Sequence, residues 1–137
     1  MDIDIQTMKP DERAAFWIKN LQAARTLMLS LHPGQVELDH WRHPCGTIFC
    51  FGGWLPTDAY FQSLGVTAEP MLGYPQLPND EDRFEPYKVA LVLFGEEALF
   101  FARDWLENEY EANSSHTDRD VVLHRIDARL RRLGEEN

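Results

Sequence analysis

From Ala14 onward, apolar side chains return every three or four positions: Ala14, Trp17, Ile18, Leu21, Ala24, Leu27, Met28 and Leu31. That spacing predicts an amphipathic helix, with Lys19, Asn20 and Arg25 on its polar face. Pro10-Asp11-Glu12 opens it, because proline pre-sets the first turn and carboxylates complement the positive end of the helix dipole. His32-Pro33-Gly34 stops it. A short alternating run, Val36 to Trp41, then predicts an extended connector.

The next apolar segment is dense. Cys45 to Trp54 reads Cys-Gly-Thr-Ile-Phe-Cys-Phe-Gly-Gly-Trp and predicts a short buried helix capped by Thr47, with Cys50 inside it and Pro56 ending or kinking it. Thr57-Asp58 restarts a piece from Ala59 to Leu64, closed by Gly65. Paired helix glycines cost about 1 kcal/mol each relative to alanine, so Gly52-Gly53 implies close packing against another element.

Periodicity is lost over residues 66–86, where Pro70, Pro75, Pro78, Pro86 and Gly73 leave little room for regular structure. This is expected to be one long, acidic, Pro-rich loop, pinned to the body by Tyr74, Leu77 and Phe84. A helix resumes from Pro86 to Phe94 and ends at Gly95. Glu96-Glu97 is predicted to start another, with Leu99, Phe100, Ala102, Arg103, Leu106 and Tyr110 on one face. After a turn at Asn113-Ser114-Ser115-His116, Thr117-Asp118-x-Asp120 caps a last helix striped by Val122, Ile126, Leu130 and Leu133. His116 and His124 are expected to face solvent. The prediction is an all-α, single-domain fold (residues 1–137) of five or six helices.

Charge changes the functional picture. The 137 residues carry 23 acidic and 13 basic side chains, a net charge of −10, which opposes direct binding to nucleic acid or anionic lipid. Residues 118–137 are balanced, so the surplus lies in the preceding body. No apolar run is long enough to span a bilayer, and Met1-Asp2-Ile3-Asp4 has no signal-peptide character, so a cytoplasmic protein with reduced thiols is expected.

Two sets of side chains have candidate chemistry. His40, His43, Cys45 and Cys50 have the ligand types of a zinc site, but all four crowd into eleven residues instead of forming two separated pairs. Zinc-stabilised regulation or catalysis is therefore the alternative, and burial of Cys50 is expected to make it inert. No catalytic set, cofactor motif or nucleophile elbow stands out. The second set is acidic: Asp80, Glu81, Asp82 and Glu85 on the loop, and Glu96, Glu97, Asp104, Glu107, Glu109 and Glu111 beyond it. An outward array of carboxylates docks on a Lys/Arg-rich groove by imitating a nucleic-acid backbone, with Tyr74 and Tyr110 as aromatic anchors. A self-associating structural module is the third possibility.

The pattern C-G-T-x-x-C-x-x-G-W, here Cys45-Gly46-Thr47, Cys50 and Gly53-Trp54, preceded by Leu38-Asp39-His40-Trp41, resembles a group of small phage and bacterial proteins without an assigned activity. Leu93-Phe94-Gly95, Leu99-Phe100-Phe101 through Trp105, and Arg125-Ile126-Asp127 extend the resemblance over residues 32 to 133. Phe49 and Phe51 depart from the small aliphatic residues that relatives place around the second cysteine, and His40 and His43 are not part of the pattern. The resemblance implies a phage or mobile-element origin, where small acidic proteins block host machinery such as a CRISPR effector or another nucleic-acid-binding complex.

Overall fold

The computed structural model describes residues 4–38, 49–78, 86–103 and 109–136, the side chain of Glu136 excepted. The architecture is mostly helical, as the periodicity predicts. Among the described residues, six α-helices follow in order: α1 (Pro10–Ser30), α2 (Phe51–Trp54), α3 (Ala59–Ser63), α4 (Pro86–Phe94), α5 (Glu109–Ala112) and α6 (Asp118–Glu136). The long helices α1 and α6 pack on each other, and α4 packs on α1. Their shared core takes Leu21, Ala24 and Met28 from α1, Leu93 and Phe94 from α4, and Val122, Ile126 and Leu133 from α6.

The segment around Trp54 closes this core from the other side. Phe51 is fully buried, its ring centroid 5.6 Å from Phe94 and 5.5 Å from Phe100. Gly52 and Gly53 are buried with it, consistent with glycines selected for packing. Cys50 is the N-cap of α2 rather than a member of the helix, its Sγ accepting the Gly53 N–H at 3.3 Å. The predicted cap Thr47 lies outside the described residues. The Trp54 indole donates to the Gln35 carbonyl at 2.8 Å, and Val36 pairs with Phe49 as an isolated parallel bridge, so the connector after α1 is tied to this segment twice.

Two predictions fail here. The segment over 66–78 is not all irregular: β1 (Thr67–Ala68) and β2 (Pro75–Gln76) form an antiparallel hairpin with Thr67 opposite Gln76. Strands of two residues are too short to show a period of two. Over the described residues 96–103, the helix expected from Glu96 also does not form. Glu97–Phe100 is a single 3₁₀ turn, and Phe101 is extended at φ −65°, ψ 147°. Arg125, reaching across from α6, takes the carbonyls of Phe101 at 2.7 Å and Ala102 at 3.3 Å. A helix through this stretch would turn those carbonyls to its own amides.

The end of α4 shows the same principle. A helix terminus leaves its last carbonyls without intrahelical donors. Three side chains from other helices supply them: the Trp17 indole to Val92 at 3.0 Å, the Asn20 amide to Leu93 at 2.9 Å and the Arg129 guanidinium to Phe94 at 3.2 Å. Asn20, read from spacing as part of a polar outer face, is fully buried, and its Oδ1 accepts the Tyr60 hydroxyl at 2.6 Å.

Candidate functional site

The acidic positions divide into three groups. Asp80, Glu81, Asp82, Glu85, Asp104 and Glu107 lie outside the described residues. Glu97 and Glu109 are exposed. The other two are engaged by the chain's own arginines. Glu96 is half-buried and pairs with Arg132. Glu111 has no exposed side-chain surface and forms a bidentate pair with Arg125, at 2.5 Å and 3.0 Å.

Glu111 therefore does not belong to an outward-facing array. Its position two residues before a turn suggests a solvated side chain because its partner is fourteen residues away on α6. Nor do the two aromatic anchors stand free. Tyr74 is buried within the hairpin, Leu77 packs partly buried against the core, and Phe84 lies outside the described residues. Tyr110 lies half-buried between two imidazoles, its ring centroid 3.9 Å from His116 at 11° and 3.9 Å from His124 at 8°. His116 and His124 thus stack on α5 rather than simply face water, although His124 keeps an exposed edge.

The basic side chains explain where the surplus negative charge stands. Arg103 donates to the carbonyls of Glu111 and His116, both at 2.6 Å, and to that of Asn113 at 2.5 Å. Arg119 donates to the Leu31 carbonyl at 2.7 Å, and Arg125 and Arg129 are buried on α6. Four cations are thereby fixed as internal hydrogen-bond donors. Arginine suits this use, since its guanidinium stays charged and presents a rigid fork of donors. Spacing along the chain does not reveal this commitment, because an inward arginine and a solvated one have the same local pattern.

The remaining imbalance is concentrated. The residues outside the described set hold eight acidic side chains against Arg42 and Arg83, and four of the eight fall in residues 79–85.

Two concavities accompany these groups. A cleft of about 260 Å³ has the Arg125–Glu111 pair in its floor and His124, Leu99, Glu96 and Arg132 around it. The Arg125 donors are already committed to Glu111, Phe101 and Ala102, which makes the pair a structural element of the cleft. A groove of about 460 Å³ runs under the hairpin between Phe49, Pro56, Val66 and Ala68.

The thiol set reduces to one described member. His40, His43 and Cys45 lie outside the described residues, among which no group of three metal-ligating side chains occurs. Cys50 is 3% exposed, and burial pushes its thiol up to about 12, the opposite of what a nucleophile requires. Its Sγ works as a helix cap.

Compared with protein-family models, curated proteins and solved structures, the chain matches none. Among the described residues, no helix is long and apolar enough to cross a membrane.

Proposed function

We propose that this chain is an acidic binding protein that docks on the basic surface of a host macromolecular machine and inhibits or modulates it, without catalysing a reaction. A nucleic-acid-binding complex, such as a CRISPR effector, is the partner class that the charge and the phage resemblance favour. The observation that carries this reading is the inward commitment of Arg103, Arg119, Arg125 and Arg129. With their donors committed to backbone carbonyls, and Arg103 and Arg125 also paired with Asp118 and Glu111, these cations add little to neutralising the remaining surplus, which includes Asp80, Glu81, Asp82 and Glu85. Glu97 and Glu109 add outward charge, whereas Glu96 and Glu111 are withdrawn into ion pairs. Carboxylates arranged this way accelerate encounter with a Lys/Arg-rich groove, an effect that fades as the Debye length shortens to about 10 Å at 0.1 M salt.

Capture of the partner from host lysate at low salt, followed by a salt gradient, tests the idea together with a charge-reversed variant. Replacing Asp80, Glu81, Asp82 and Glu85 with lysine is expected to abolish retention, and the native partner should elute early in the gradient. Equal retention of both proteins across the gradient would refute a charge-driven interface.

A further inference from the structure

The hairpin holds two large apolar side chains in water. Met71 is 83% exposed and Leu72 is 61% exposed, at the tip between β1 and β2. Exposed single apolar residues are ordinary, but this pair sits in a turn that is closed from within. The Glu69 carboxylate accepts the backbone N–H of Met71 at 2.9 Å and of Leu72 at 2.6 Å. The Glu69 carbonyl accepts the Gly73 N–H at 2.9 Å, and the Glu69 N–H donates to Tyr74 at 2.8 Å. Gly73 takes φ 81°, a left-handed conformation that closes the turn, and Gly73, Tyr74 and Pro75 are buried beneath it. The tip is therefore preorganised, so presenting it to a partner costs little further ordering.

The charge of the chain indicates what the tip meets. Within the described stretch 49–78, which carries the turn, there is no lysine or arginine, while Asp58 and Glu69 are both acidic. A second copy of this chain, at −10, is repelled, and so is an anionic membrane. The complement is a surface that is apolar at its centre and cationic at its edge, the usual division between an interface core and its rim.

We propose that the 69–73 turn is the apolar anchor of the interface, with Met71 and Leu72 entering a hydrophobic pocket ringed by Lys or Arg on a partner protein. This rests on the reading of the chain as an acidic binding protein and names the side chains that hold the contact once charge has brought it together. Met71 and Leu72 supply the short-range contact that a carboxylate array lacks.

Two helical peptides of about four turns each make the test. One alternates Lys and Leu faces, and the other carries the same lysines with Gln replacing every Leu. At low salt the native protein is expected to bind the Lys/Leu peptide more tightly than the Lys/Gln peptide. The M71S/L72S double variant, altered only at exposed positions, should lose about tenfold or more on the first peptide and nothing on the second. With methyl-labelled methionine, the Met71 resonance should shift on binding while that of buried Met28 stays in place. Unchanged Lys/Leu affinity in the double variant, or a static Met71 methyl, overturns the anchor. If both peptides bind the native protein equally, the anchor fails and the acidic reading stands. If neither binds, both fail. Concentration-dependent dimerisation abolished by M71S/L72S would overturn the proposal in favour of a second copy.

Discussion

Gly95 and Gly134 illustrate how differently one residue type is constrained at two places in the same chain. Gly95 sits at φ 75°, and a Cβ there would lie 2.7 Å from the Arg129 Nη2 and 2.9 Å from the Trp17 ring. Gly134 is helical, with nothing within 4 Å of the equivalent point. Gly95→Ala adds left-handed strain of about 1–2 kcal/mol and also crowds two of the side chains that cap α4. It is expected to lower the denaturation midpoint well below that of the native protein. Gly134→Ala removes only helix-interior glycine and should raise stability by up to about 1 kcal/mol. Chemical denaturation of both variants gives opposite signs if the local geometry is right. A second prediction at this scale concerns Cys50. Its thiol ionises near 12 in the fold against 9.0 ordinarily, because burial penalises the thiolate. The folded state therefore holds its proton more tightly than the unfolded state. The stabilisation is complete below pH 9 and declines as pH rises through 12. Cys50→Ser keeps an oxygen cap for the Gly53 N–H and removes this titration, so the variant should lose less stability than the native protein between pH 9 and 11.

Elements defined by local signals were legible in the sequence, and elements defined by distant partners were not. α1 begins at Pro10 and ends just before the His32-Pro33-Gly34 stop, and α4 ends at Gly95, because proline, glycine and a 3.6-residue stripe act within a few residues. The α6 start was equally readable: the Thr117 hydroxyl accepts the Asp120 N–H at 3.1 Å, and the Asp120 carboxylate accepts the Thr117 N–H at 3.0 Å. The break at Phe101 was invisible, since it depends on Arg125 on another element. Burial of Glu111 was hidden by the same distance. This ion pair gives the prediction proper to the element scale. Removing one partner of a buried pair leaves an uncompensated charge and costs about 3–5 kcal/mol. Glu111→Ala should approach that range, whereas Asp127→Ala, which breaks the exposed pair with Arg25 at 2.9 Å, should cost less than about 1 kcal/mol. Converting Glu111 and Arg125 together to Leu and Met should recover part of the loss but not all, because the Phe101 and Ala102 carbonyls lose their donor. A double-mutant cycle on denaturation midpoints measures both quantities.

At the scale of the whole molecule, ionic strength acts on two opposed populations of charge. Exposed pairs such as Arg25–Asp127 and Arg132–Glu96 weaken as salt rises, and each contributes at most about 1 kcal/mol. The net charge of −10 repels itself in the folded state, and screening relieves that repulsion. The interior donors Arg125 and Arg129 are nearly insensitive, because buried pairs lie outside the reach of mobile ions. Relief of repulsion is the larger effect: it draws on every surplus carboxylate, while the exposed pairs among the described residues are few and weak. The thermal midpoint at pH 7 should therefore rise by a few degrees between dilute buffer and about 0.3 M sodium chloride. Reversing Asp80, Glu81, Asp82 and Glu85 to lysine changes the net charge from −10 to −2 and should flatten that slope, leaving the midpoint in high salt unchanged. Scanning calorimetry of the two proteins at both salt levels decides it. A native midpoint that falls with salt would mean that surface pairing outweighs repulsion, and the surplus carboxylates would lose their standing as an uncompensated field that a cationic partner can neutralise.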